Sequence, residues 1–385
     1  MPWNVSASKR LLVLTSATGA GHDTHARATE AWCRKIYGPA VEVRIDHALE
    51  KSDAFLRGAV EFYNQIQRRA PWFHHVYYNV IEFLELFNNG TVGFGKEYIV
   101  RLFEEYRPDA VLSVHDCLNL GYFELAREVV GSHVRCGTYC VEFGGGYGFS
   151  RNWVNRSTDG YFARTEEGAQ VALRRRVDPK KVYVAGHWAP PPFYGSDLSE
   201  AEKEAVLEKM GLAPRRFTLM LSTGGAGAQN HLSFLKALLP LRDRLQVIVL
   251  CGRNDKARQE IEAWAVKQGS FPLKALPFTD EMPSLLRTAS AVVARAGATT
   301  AGEALLCGCP VIFNALGGMM PQEIPTWRYF KARNVGSVVY RPGAITGILR
   351  RWLDHPAEYA ALRERLKPLR HDVTPETALR CLLGD

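Results

Sequence analysis

The sequence has no apolar run of the roughly 18–20 residues that a spanning helix needs, which excludes a helical integral membrane protein. The first ten residues, Met1 to Arg10, lack the apolar core of a signal peptide, and the chain passes straight into a strand-like run. No cysteine pair has the CxxC spacing of a zinc site. The eight cysteines are scattered, with Cys136/Cys140 and Cys307/Cys309 the only close pairs. That pattern predicts free thiols, mostly buried, in a reducing cytosol. No basic segment has the spacing of a helix-turn-helix or an RNA-binding sheet, so nucleic acid is not expected as a partner. Lys+Arg nevertheless outnumber Asp+Glu by 48 to 40, a formal charge of +8. An acidic ligand or an anionic membrane surface remains to account for that excess. What is present is an ordinary globular composition, 46% hydrophobic and 23% charged over 385 residues. At about 150 residues per domain the length suggests two domains.

Short apolar runs alternate with helical patterns along the whole chain. The first is Arg10-Leu-Leu-Val-Leu-Thr15, then the Gly-rich turn Ser16 to His22, then a helical stretch from Thr24 to Tyr37. Val41–Ile45, Ala110–His115, Arg135–Phe143, Tyr161–Thr165 and Val182–Ala185 read as further strands. Short strands separated by helices predict a parallel sheet. Pro190-Pro-Pro192 with Gly195-Ser-Asp197 stiffens the chain and marks a linker. A second series follows: Phe217–Leu221, Gln246–Cys251, Leu273–Leu276, Ala291–Ala294, Val311–Phe313 and Val338–Tyr340. The expected fold class is α/β, two Rossmann-like doubly wound domains across a cleft, with ligands at the carboxyl ends of the strands. The expected boundaries are 1–190, a linker at 191–198, a second domain at 199–342, and C-terminal helices at 343–385 that pack back on the first domain.

One segment breaks this rhythm. Between Phe55 and Phe103 aromatics are dense, and Arg57, Arg68, Arg69 and Lys96 are interleaved. Arg68-Arg-Ala-Pro-Trp-Phe73 places two charges beside Trp72 and Phe73 at a proline break. Such aromatics are core and helix-packing residues in one reading. In the other they form a membrane-interface patch, with Arg meeting anionic lipid.

Three Gly-rich turns follow strands. Gly19-Ala-Gly-His22 lacks the full dinucleotide fingerprint. Thr223-Gly-Gly-Ala-Gly-Ala228 is either an anion cradle at a helix N-terminus or a tight turn and no more. Neither carries a Walker lysine, which disfavours a P-loop NTPase. The third, Ala291 to Leu305, is a strand, a small-residue turn and a helix start. Gly297 would permit an unusual backbone angle. Ala298, Thr299 and Thr300 are small enough for a diphosphate to approach their amides at the positive end of the helix dipole. Glu303, one turn in, would reach a pair of ribose hydroxyls, or would only complement the dipole.

Ala294-Arg-Ala-Gly-Ala-Thr-Thr-Ala-Gly-Glu-Ala-Leu-Leu-Cys-Gly-Cys-Pro-Val-Ile312 resembles the nucleotide-sugar signature of GT-B glycosyltransferases, in the branch of monogalactosyldiacylglycerol synthases and bacterial diacylglycerol glucosyltransferases. Thr18 to His22, Arg107 to His115, Trp153-Val154, Thr158 to Phe162, Cys251 to Asn254, Leu276 to Pro283 and Gln322-Glu323 agree in order. The resemblance implies a UDP-sugar donor bound by the C-terminal half, with no other cofactor and no metal. Phe278 would clamp the uracil and Glu303 the ribose. Gly297 to Thr300, Gly224 and Gly225 would surround the diphosphate, helped by Arg253. Gln322 and Glu323 would hold the sugar hydroxyls.

On the acceptor side His22 would take the proton of the attacking hydroxyl, imidazole being suited to proton transfer near neutral pH. His115, Asp116 and Glu142 are further base candidates. The transfer would invert an α-linked donor to a β-glycoside on a lipid, diacylglycerol in the leading reading. Arg68, Arg69, Trp72 and Phe73 would meet the cytoplasmic membrane face as a peripheral contact. A polyprenyl-linked acceptor with an N-acetylglucosamine donor, and a UDP-sugar epimerase, are the alternatives. Three departures stand out. Cys140-Val-Glu142 replaces the branch's Val-Thr-Asp. Phe143-Gly-Gly-Gly-Tyr-Gly148 stands where it has a histidine. Pro321 precedes Gln322 in place of glycine.

Overall fold

The computed structural model describes residues 8–19, 21–69, 71–84, 91–222, 230–370 and 373–385. They form two compact units. The first comprises the described residues up to Pro191, with Met320–Pro325 and the stretch 373–385. The second comprises Pro192–Met319 and the stretch 326–370.

Six strands build the first sheet: β1 Lys9–Thr15, β2 Val41–His47, β3 Ala110–Ser113, β4 Arg135–Cys140, β5 Gly160–Ala163 and β6 Val182–Val184. All pair in parallel, in the order β2-β1-β3-β4-β5-β6. Leu11 to Leu14 of β1 and Val111 and Leu112 of β3 have no exposed surface. A strand covered on both faces reads as a continuous apolar run, and these do. The helix Pro375–Leu383 lies against β4, where Leu382 would touch a Cβ placed on Gly137.

The second sheet contains β7 Phe217–Ser222, β8 Leu245–Leu250, β9 Leu273–Leu276, β10 Ala291–Ala294, β11 Val311–Asn314 and β12 Gly336–Val339. Its order is β12-β11-β10-β7-β8-β9, again wholly parallel. Its centre is as dry, with Leu219, Met220, Val247 to Val249, Val292, Ile312 and Phe313 all fully buried.

Every expected strand is present, so the α/β class holds. Several strands end earlier than expected, and in two of them the overrun matters: β3 stops at Ser113 and β4 at Cys140. The overrun residues continue the apolar composition but leave the ladder. His115 and Glu142 therefore lie in loops beyond the carboxyl ends of their strands. In each sheet the strand order reverses at a switch point, between β1 and β3 in the first and between β7 and β10 in the second. Ligands in such sheets bind there. The eight cysteines form no disulfide. Six are buried, Cys117 is exposed and Cys381 is partly covered. Among the described residues no helix is long and apolar enough to cross a membrane.

Candidate active site

In the first unit the turn after β1 is held open by side chains from two distant helices. Glu50 Oε1 accepts from the Ser16 hydroxyl at 2.9 Å and from the Ala17 amide. Asn64 donates to the Ala17 carbonyl and accepts from the Gly19 amide, both at 3.0 Å. Gly19 takes φ +73, a conformation natural to glycine. The helix Gly21–Tyr37 then starts, and His22 is its second residue.

His22 Nδ1 lies 2.7 Å from the carbonyl oxygen of Val114. A carbonyl only accepts, so Nδ1 carries the hydrogen and the lone pair of the neutral ring sits on Nε2. His115 is the opposite tautomer. Its Nδ1 accepts from the Cys117 amide at 3.1 Å, so Nε2–H donates to the Thr18 hydroxyl at 2.7 Å. The two rings stand 4.3 Å apart, and Trp153 lies on the far side of His22 at 6.2 Å. The His115 imidazole is pushed down to about 3, by burial first and then by His22. Asp116 Oδ1, 3.1 Å from His115 Nδ1, would pair with a charged ring. Burial outweighs it, and His115 stays neutral. His115 is thus a fixed polar wall for the turn, and among the described residues no hydrogen bond engages the Nε2 lone pair of His22.

Glu142 is the second residue beyond β4. It is buried, and its Oε2 has no hydrogen-bond partner. Burial, then Asp116, raise its carboxyl to about 8 against the pull of Arg164. Tyr63, Tyr78, Tyr161 and Cys140 also face it. The group is therefore protonated at neutral pH and would donate a hydrogen bond to an incoming oxygen rather than abstract a proton. Folding holds this proton while the unfolded chain releases it above about pH 4.5. Stability from this group is full below that pH and is lost as pH rises to about 8. A tenfold change in proton affinity is worth about 1.4 kcal/mol. Glu142→Gln is expected to flatten the fall of Tm between pH 6 and pH 9 by about 3 °C or more in thermal melts. A fall equal to that of the parent chain would mean that the carboxyl is already ionised.

Met320–Pro325 packs with this unit. Gln322 Nε2 donates to the Tyr63 hydroxyl at 2.7 Å, and the buried Glu323 accepts from the Met320 amide at 2.8 Å. Gly148 takes φ +94, and a Cβ there would sit 1.8 Å from the Pro321 carbonyl oxygen. The glycine-rich loop after Glu142 is thus needed for this close approach.

In the aromatic segment, Val60 and Ile66 of the helix Ala54–Arg69 are buried. Phe55, Phe62, Trp72, Val76, Val80, Phe83 and Phe94 are exposed, and Trp72 shows 62% of its surface. They are seven of the thirteen large exposed apolar side chains among the described residues. Phe73 is half-buried and packs edge-on against Trp72. The side chains of Arg68 and Arg69 lie outside the described residues.

In the second unit β10 runs into Arg295-Ala-Gly297 and the helix Ala298–Leu306. Gly297 caps that helix with φ −67 and ψ 136. This corrects the expectation of an unusual backbone angle, because any residue adopts this one. Among the described residues, a Cβ on it would meet nothing within 4 Å. The amides of Ala298, Thr299 and Thr300 stand in the first turn of this helix, at the positive end of the dipole. Glu303 follows one turn later on the same helix. Arg295 fixes the turn by donating to the carbonyls of Leu316 and Gly318 at 3.0 and 2.9 Å. Arg253, beyond β8, stacks its guanidinium over the half-exposed ring of Phe278, beyond β9, at 5.3 Å. Together they make a flat cationic shelf suited to a base or a phosphate. Gly224 and Gly225 lie outside the described residues.

Comparisons with known proteins agree with this division. Residues 218–317 match the glycosyltransferase family 28 C-terminal domain. The processive diacylglycerol beta-glucosyltransferase of Bacillus subtilis is 22% identical over 344 residues, 88% of this chain and 85% of that protein. A probable chloroplastic monogalactosyldiacylglycerol synthase 2 of Oryza sativa subsp. japonica is 24% identical, over 80% of this chain and 66% of that protein. The crystal structure of Anabaena HepE in complex with UDP-glucose covers 97% of this chain and 98% of its own at a TM-score of 0.55 and 12% identity, a likeness of fold. The chain is a glycosyltransferase of the GT-B fold whose second unit carries the family 28 C-terminal domain.

Proposed function

We propose that the protein transfers a hexose from a UDP-sugar to the hydroxyl of a lipid acceptor, diacylglycerol, forming a β-glycolipid. The observation that carries this is the fixed tautomer of His22, whose Nε2 lone pair stands at the switch point of the first sheet. A single inverting displacement needs one base for the acceptor and one stabiliser for the leaving group. His22 supplies the first. The helix opening at Ala298 supplies the second without a metal ion, its dipole and the Arg253–Phe278 shelf receiving the UDP diphosphate and base. Glu303 would hold the ribose. The names of the relatives support a glycerolipid acceptor and leave glucose and galactose both open.

The exposed row from Phe55 to Phe94 supports delivery of that acceptor at a membrane surface, on the cytoplasmic face. Aromatic side chains insert at headgroup level, and each adjacent cation adds about 1 kcal/mol on an anionic leaflet. Flotation with anionic liposomes is expected to fall by about fivefold or more in Trp72→Ala/Phe83→Ala. Equal flotation of variant and parent would remove the patch from this role. The transfer itself is tested by UDP release from UDP-glucose, UDP-galactose and UDP-N-acetylglucosamine with diacylglycerol, ceramide and polyprenyl phosphate acceptors. Release with a diacylglycerol acceptor is expected. Turnover with the polyprenyl acceptor alone would replace the reading.

A further inference from the structure

At the amino-terminal ends of β7 and β10 the second unit holds a cavity of about 550 Å³. Lys203, Arg215, Arg216, Arg244, Arg287 and Arg363 line it, against only two carboxylates, Glu200 and Glu204. Three of the cations are neutralised: Lys203 by Glu200 at 2.7 Å, Arg215 by Glu204 at 2.6 Å and Arg244 by Asp354 at 2.6 Å. Among the described residues Arg216, Arg287 and Arg363 have no carboxylate within ion-pair distance.

Packing explains part of Arg287. Its terminal nitrogens donate to the carbonyls of Pro192, Phe193 and Gly195 at 2.8–3.1 Å. It does not explain the rest. Arg287 is only 9% exposed, yet its Nε has no acceptor. The Nε of Arg216 and the hydroxyl of Thr288, in the same wall, are buried and unpartnered too. Buried donors are nearly always satisfied, and an unmet one is destabilising. Three such donors among the residues lining one cavity, beside unpaired guanidinium charge, suit an anionic acceptor.

We propose that this cavity is a second anion site that takes a phosphorylated small molecule. A guanidinium fork matches phosphate oxygens, and the hydroxyl of Thr288 adds a further donor. Leu207, Phe217 and Leu353 give the cavity an apolar wall for an organic remainder. The helix Ala298–Leu306 opens at the carboxyl end of β10, whereas Ser290, at the other end of that strand, lines this cavity. The two places are separated by a strand length, on the order of 10–15 Å. An occupant here leaves the donor helix open, and the proposal does not rest on sugar transfer.

The test is calorimetric titration of the full chain with inorganic pyrophosphate, alone and with UDP in excess. One saturable event that persists with UDP is expected. Arg216→Gln/Arg363→Gln is expected to weaken it tenfold or more. Thr288→Val, which removes no charge and holds the volume, is expected to weaken it about threefold with an unchanged melting temperature. The absence of a saturable event in the intact chain overturns the proposal. So does an event that UDP abolishes, or equal affinity in a folded variant.

Discussion

His22→Ala is expected to lower turnover by about 10²–10⁴-fold, the range a positioned general base contributes, while UDP affinity changes less than about twofold. Both halves of that expectation follow from position. The imidazole belongs to the first unit, and its Nδ1–H is committed to Val114 O at 2.7 Å. Only Nε2 is left to accept a proton, and a base acts on the acceptor rather than the nucleotide. His22→Gln tests the same point more finely, because an amide keeps a polar contact but takes no proton at neutral pH. It should be as slow as the alanine variant. Single-turnover rates with donor and acceptor both saturating would decide this. A loss below tenfold would move the proton transfer elsewhere. Glu142 is a poor substitute, since its carboxyl is raised to about 8 and is already protonated. His115, lowered to about 3 and with both ring nitrogens occupied, is a poorer one.

The alternation of buried strand and helix was legible because both sheets are parallel and their central strands, such as β1, β8 and β10, are covered on both faces and read as apolar runs. The strand ends were less so. Val114 and Val141 prolong the apolar pattern into the loops, and only the ladder shows that pairing has stopped before His115 and Glu142. The positions of the candidate site residues were also legible, His22 directly after one glycine turn and Glu303 one turn into the helix that follows another.

The residues that hold them were not. Glu50 and Asn64 brace the first turn from 33 and 45 residues away, and nothing in the local sequence of their helices marks them. The same is true of Arg295, whose partners are carbonyls. Gly297 was legible as a glycine but for the wrong reason. Composition suggests an unusual backbone angle, whereas the fold gives it an ordinary extended one, φ −67 and ψ 136. In the aromatic segment, residue types gave density, and only the structure sorts Val60 and Ile66 inward from Phe62, Trp72 and Phe83 outward.

Glu303→Ala is expected to weaken UDP binding by about 100-fold or more, read directly by calorimetry. A hydrogen bond to a charged group contributes about 1.5–3 kcal/mol, and a carboxylate accepting from two vicinal hydroxyls makes two of them. The helix itself should survive. Its strand-side residues Ala301, Ala304 and Leu305 are buried, while Glu303 is only half-buried, and alanine is the stronger helix former. The loss should therefore appear in affinity and leave the melting temperature of the free chain within a few degrees. Glu303→Gln separates charge from shape: an amide keeps one acceptor oxygen and should recover part of the affinity. UDP and uridine should lose equally in both variants, because the carboxylate addresses the ribose and not the diphosphate. A loss confined to UDP would instead assign Glu303 to the field around the phosphates. Unchanged affinity for both would take the donor away from this helix altogether.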